Sequence, residues 1–129
     1  MTTAVIDASA ILALLLGEPG AQKVAAVLAD SVVTTINLSE VVGYYARNGA
    51  SGAGIRTMLD ALPCERVPFD EDLAYATGLL LPLTRSVGLS LGDRACLALA
   101  KQLDVPAITA DQPWRDIAGA VGVTIDLIR

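Results

Sequence analysis

The sequence predicts a three-layer α/β/α fold, with a mainly parallel central sheet covered by helices on both faces. Three observations predict it. Short runs rich in β-branched residues alternate with longer helix-forming stretches, as expected of parallel strands joined by crossover helices. The chain has 129 residues, enough for one core and too few for a comfortable second, so residues 1–129 are read as one domain. It contains no internal repeat, low-complexity tract or linker-like stretch.

Residues 3–6 (TAVI) read as the first strand, ending at Asp7. The stretch ASAILALLL, Ala8 to Leu16, is rich in helix formers and reads as a buried helix closed by Gly17. Glu18-Pro19 opens a second helix, proline being tolerated in a first turn, and Val24, Val27 and Leu28 give it one apolar face. Residues 32–36 (VVTTI) are the second strand. Asn37 then caps a helix carrying Leu38, Val41, Val42 and Tyr45, which puts Glu40 at its third position, and Gly49 ends it. A short helix over Ser51–Ala61 leads into CERVPF, a brief extended segment. The next helix, Asp70 to Leu81, starts with three acids that complement a helix N-terminus, and Pro82 bends or ends it. Ser90 caps LGDRACLALAKQL, whose apolar positions suit a buried element. Residues 106–109 form a strand leading to Asp111, QPWRDIA makes a turn or short helix, and residues 121–125 (VGVTI) are the last strand.

Composition narrows the function. Apolar residues make up 53% of the chain and the mean hydropathy is +0.56, both high for a soluble protein. The longest apolar run, Ala8 to Leu16, is nine residues interrupted by Ser9, whereas a membrane-spanning helix needs about twenty. The N-terminus lacks the basic start and small-residue cleavage site of a signal peptide, so a cytoplasmic protein is expected. The apolar surplus points to self-association or a permanent partner. Cys64 and Cys96 are expected to be buried thiols. There is no histidine, which removes imidazole zinc sites, triads with a histidine base and histidine acid–base nuclease chemistry. An enzyme built from these residues must use carboxylates, hydroxyls, basic groups or a metal held by oxygen.

Four acids from distant parts of the sequence fall at one edge of the predicted sheet. Asp7 follows the first strand and Asp111 lies just beyond the strand at 106–109. Glu40 and Asp93 are placed in the first turns of helices that begin at the same edge. Ligands bind in the crevice outside the carboxyl ends of strands in such sheets. Two charges about 4 Å apart repel by roughly 4 kcal/mol at an effective dielectric near 20, so such a cluster protonates or binds cations. Oxygen-only ligands suit magnesium or manganese, which would activate a water against a phosphodiester. The net charge of −5 looks wrong for a nucleic-acid enzyme, but setting these four acids aside leaves ten against nine basic residues. Taken singly, each acid also has a plain structural reading as a cap, a dipole partner or a turn former.

The segments VIDASAILALLLGEPG (5–20), INLSEVVGYYARNG (36–49), TRSVGLSLGDRACLALAKQL (84–103) and PAITADQPWRDI (106–117) together resemble a PIN-domain toxin of the VapC type, essentially end to end. The resemblance implies a magnesium- or manganese-dependent endoribonuclease, toxic when free and inhibited by a small VapB-like antitoxin. It puts the catalytic, metal-holding acids on Asp7, Glu40, Asp93 and Asp111, and their accompanying hydroxyls on Ser9 and Thr109. Asp116 is a further candidate acid, and Arg85, Arg94 and Arg115 flank the acids as candidate RNA contacts. Tyr44, one turn after Glu40, is a candidate for base stacking as well as for core packing, and Trp114 reads as a loop anchor. A homodimer is expected.

Two rivals belong to other classes. One is a carboxylate-rich phosphatase or phosphotransferase using Asp7, which would need a second acid two residues later where Ser9 stands. The other is a non-catalytic protein-binding module whose acidic pocket holds a structural cation.

Overall fold

The computed structural model describes residues 1–129. Five parallel strands lie in the order β3-β2-β1-β4-β5: β1 (Ala4–Ile6), β2 (Ser31–Thr34), β3 (Glu65–Val67), β4 (Ala107–Thr109) and β5 (Ile125–Leu127). Val5 of β1 registers with Val32 of β2 on one side and Ala107 of β4 on the other. The chain winds outward from β1 through β2 to β3, then returns to build β4 and β5 on the opposite side. The winding reverses between β1 and β4, where a crevice forms at the carboxyl edge.

Both faces of the sheet are covered, so strand side chains alternate between two apolar layers and not between core and water. Ala4, Ile6, Val33 and Ile108 face one layer, packed with Ile11 of α1 (Ala8–Leu16), Val24 of α2 (Ala21–Val27), Val41 of α3 (Thr35–Arg47) and Ile55 of α4 (Gly52–Asp60). Val5, Val32 and Ala107 face the other, packed with Leu73 of α5 (Glu71–Leu79), Leu97 of α7 (Leu91–Leu103) and Trp114 of the 3-10 segment Gln112–Ile117. The four-residue helices α6 (Leu81–Thr84) and α8 (Ala118–Val121) complete that layer. Cys64 and Cys96 are free, buried thiols, and Trp114 is fully enclosed. No single helix is long and apolar enough to cross a membrane.

Several boundaries differ from the sequence reading, each for a local reason. The second strand is residues 31–34 and α3 starts at Thr35, because the Thr34 hydroxyl accepts the Asn37 N–H at 3.0 Å and so acts as the cap. Asn37 is therefore inside the helix and Glu40 is its sixth residue, in the second turn and not the first. Helix α2 starts at Ala21, after Gly20 in the left-handed region (φ 98°), and not at Glu18-Pro19. Pro82 falls in the first turn of α6, where a missing N–H is harmless, so it opens a helix. Residues 118–121 prolong the 3-10 segment as α8, which delays the last strand to 125–127.

Candidate active site

A cleft of about 480 Å³ opens at the carboxyl edge, and Asp7, Glu40, Asp93 and Asp111 all line it. Ala8, Ser9, Leu12, Gly43, Tyr44 and Arg47 complete its walls.

Asp7 is the deepest of the four, 2% exposed at the junction of β1 and α1. It caps α1, its Oδ1 accepting the Ala10 N–H at 2.9 Å and the Ser9 hydroxyl at 2.7 Å. Its Oδ2 accepts the Thr109 hydroxyl at 2.6 Å, across the gap between β1 and β4. Ser9 Oγ in turn accepts the Ala110 N–H and Thr109 Oγ1 accepts the Asp111 N–H, at 2.9 and 3.0 Å. The two hydroxyls thus tie Asp7 to the backbone that presents Asp111. Burial pushes the Asp7 carboxyl up to about 7, the hydrogen bonds from Thr109, Ala10 and Ser9 oppose that rise, and the charge of Asp93 adds to it.

Asp93 stands in the first turn of α7 within a reciprocal cap. Its Oδ2 accepts the Ser90 N–H at 3.0 Å, and Ser90 Oγ accepts the Asp93 N–H at 3.2 Å. Partial burial raises its carboxyl above the usual range, against the Ser90 hydrogen bonds, with a further push from Asp111. Glu40 reaches the cleft from α3, its Oε1 accepting Asn37 Nδ2–H at 2.9 Å. Desolvation raises it too, the Asn37 bond opposes and the charge of Asp93 adds. Asp111 is exposed, and its carboxylate receives no hydrogen bond from the protein. The structural readings of Asp7 and Asp93 as caps are therefore true, and they do not exclude a second role.

The chain supplies little counter-charge. Its two ion pairs, Lys23–Asp126 and Arg129–Glu18, involve none of these acids. Arg47 is the one basic residue on the cleft wall, 5.8 Å from the Tyr44 ring centre and within cation–π range. Arg47 is not among the basic residues expected from the sequence, because it stands seven residues from Glu40 and beside none of the acids in sequence. The signal was there: Glu40, Gly43, Tyr44 and Arg47 follow the i, i+3, i+4, i+7 spacing of one helix face. Arg85, Arg115 and Asp116 are exposed and lie outside the cleft lining. Arg94 is half-buried between α7 and α5, where its guanidinium donates to the Thr77 carbonyl at 3.3 Å, and it does not line the cleft.

A divalent cation fits the donor set. Every candidate ligand is a carboxylate oxygen, and Asp93 Oδ1, Glu40 Oε2 and both Asp111 oxygens have no protein donor. As the side chains stand, no three acids are drawn together closely enough to hold a metal ion.

Residues 4–120 match the family model of the PIN domain. No curated protein sequence matches the chain. Among solved structures, DNA-bound VapBC from Salmonella typhimurium aligns with TM-score 0.74 and 14% identity over 100% of both chains. A toxin–antitoxin complex from Klebsiella pneumoniae aligns with TM-score 0.71 and 21% identity over 98% of both. VapBC-5 from Mycobacterium tuberculosis aligns with TM-score 0.63 and 24% identity over 98% of this chain and 99% of that one. At these identities the structures agree in fold.

Proposed function

The chain belongs to the PIN-domain family, and from that membership we propose that it is a magnesium- or manganese-dependent endoribonuclease, the toxin of a cytoplasmic toxin–antitoxin pair. PIN domains are nucleases. The observation that carries the reading is the gathering of four carboxylates, three of them raised by desolvation, in one cleft where none of them forms an ion pair.

Bound in that cleft, a divalent ion would polarise a phosphodiester and lower the pKa of an attacking water. The chain's own residues do the positioning. Asp7 is locked by three hydrogen bonds and gives a fixed point at the cleft floor. Asp93 and Glu40 come from two different helices and flank it. Ser9 and Thr109 hold Asp7 and set the backbone that carries Asp111. Tyr44 offers a ring face and Arg47 a cation to the RNA beside the cut bond. An aspartyl-phosphate mechanism would need a second acid two residues after Asp7, where Ser9 stands and donates to the Asp7 carboxylate.

Full chelation is expected to abolish RNA cleavage, and magnesium or manganese to restore it. Calcium should bind with little turnover, because its looser coordination places the water poorly. The assay compares an RNA, a single-stranded DNA and a phosphomonoester. Full activity in excess chelator, or turnover of the phosphomonoester alone, would defeat the proposal.

Two apolar surfaces lie outside the cleft. Tyr75 and Leu79 on α5 are 70% and 74% exposed, next to exposed Leu81 and Leu83 on α6. We assign this face to a homodimer. A separate groove between α3 and α4, about 420 Å³, is lined by Leu38, Val42, Ile55 and Leu59 with Arg56, Asp60 and Arg66 at its rim. We assign it to a VapB-like antitoxin segment, which would cover the cleft and set a basic side chain among the acids. Toxin–antitoxin complexes among the structural neighbours support an antitoxin partner, and the apolar lining of the groove is what assigns it this place. The purified chain should run as a dimer in size-exclusion with light scattering, and Leu79→Lys should make it a monomer. A wild-type monomer at tens of micromolar would remove the dimer.

A further inference from the structure

Asn37 is a fully buried polar side chain, 1% exposed, placed between two of the candidate metal-binding acids. Every polar atom of its amide is used. Its Oδ1 accepts the Thr34 hydroxyl at 2.7 Å, at the end of β2. One Nδ2 hydrogen goes to Glu40 Oε1 at 2.9 Å, and the other to the Gly92 carbonyl at 3.1 Å. Gly92 immediately precedes Asp93. A single amide group therefore joins the carboxyl end of β2, the Glu40 carboxylate on α3 and the first turn of α7.

The partner position is shaped to match. A Cβ added at Gly92 would stand 2.5 Å from the Glu40 carboxyl carbon, a separation real side chains do not adopt. Gly92 has an ordinary backbone conformation, so its lack of a side chain serves space and not dihedral freedom. The Glu40 carboxylate is thus pressed against the α7 backbone and pulled there by Asn37. Without that pull, a glutamate in the second turn of a solvent-facing helix edge has three free torsions and a hydrated alternative.

We propose that Asn37 is a positioning residue that, with Gly92, fixes the Glu40 carboxylate relative to Asp93 and thereby sets cation affinity at the cleft. The proposal rests on the cation-dependent reading of the site. Asn37 acts through Glu40, never on substrate. Outer-shell partners of metal ligands typically matter by about 10- to 100-fold in affinity or activity.

The test is a double-mutant cycle in manganese affinity, read by calorimetry or by the paramagnetic signal of free Mn2+, with RNA cleavage as a parallel readout. Asn37→Ala should weaken Mn2+ binding by about tenfold or more, lower kcat and leave KM for RNA within about twofold. In a Glu40→Ala background the same change should have almost no further effect on Mn2+ affinity, because its route of action is already gone. Gly92→Ala approaches the same carboxylate from the other helix and should reproduce the loss with Asn37 intact. That variant also keeps the test decisive if Asn37→Ala folds poorly. A merely structural role would lower the melting temperature and leave the Mn2+ affinity of the folded protein unchanged. Unchanged affinity in both variants, or additive losses in the cycle, would overturn the proposal. A wild-type protein that binds no Mn2+ would instead overturn the reading of the site on which it stands.

Discussion

Asp93→Asn is expected to cut RNA cleavage by more than about a hundredfold, beyond what a supporting residue around a metal typically contributes, while the fold survives. The cap explains the survival. The asparagine Oδ1 can still accept the Ser90 N–H, and Ser90 Oγ still accepts the residue-93 N–H, so most of the roughly 1 kcal/mol that such a cap contributes is retained. What disappears is a negative charge that burial disfavours and that Asp111 repels. In chelator, therefore, the variant should melt at the wild-type temperature or slightly above it. In magnesium the order should reverse, since only the wild type gains the full binding energy of the ion. Cleavage rates with and without metal, together with thermal melts in both conditions, check the prediction. Unimpaired metal-dependent cleavage by Asp93→Asn would sink the assignment of this acid. A variant that lost activity by unfolding in chelator would show that the charge was structural.

The legible parts of this molecule were those where one local signal dominates. The apolar stretch at 8–16 and the capped run at 90–103 read as helices because burial and capping agree there. The meeting of the four acids at one edge was legible because alternation of strands and helices fixes which ends share an edge, even where boundaries slip. Glu40 shows how the slip was absorbed: α3 begins three residues early, yet the residue still reaches the cleft. Asn37 was misread because an asparagine before an apolar helix looks like a cap, and nothing local announces that the Thr34 hydroxyl has taken that task. Its partner at Gly92 is 55 residues away, so the contact is tertiary and invisible to any window. The last strand was displaced for a similar reason, since VGVTI has the β-branched content of a strand while its first residue closes α8. Arg94 stands beside Asp93 in sequence, but a helix sends adjacent residues in directions about a hundred degrees apart. It packs against α5 instead.

In the absence of metal, the folded protein is expected to lose stability as the pH rises from 5 to 8, and Asp7→Asn should remove most of that loss. The Asp7 carboxyl is pushed from an ordinary 3.8 to about 7 by burial. Between those values the unfolded chain has released the proton while the folded chain still holds it, so raising the pH favours unfolding. A rise of that size in one carboxyl is worth at most roughly 4 kcal/mol between the two extremes of pH. Part of it lies below pH 5. Glu40 and Asp93 are raised as well and act in the same direction, so the slope in Asp7→Asn should be reduced and not zero. The three hydrogen bonds that Asp7 accepts do not cancel the effect, because burial outweighs them. A cation at the cleft supplies the missing charge. At pH 8, magnesium or manganese at about a hundred times its dissociation constant should return about 2.7 kcal/mol to the wild type and much less to Asp7→Asn. Chemical denaturation at pH 5, 6, 7 and 8, with chelator and with metal, measures all of these differences. A pH slope as steep in Asp7→Asn as in the wild type would show that the buried carboxyl is not its source. Equal stabilisation of both proteins by metal would show that Asp7 does not hold the ion.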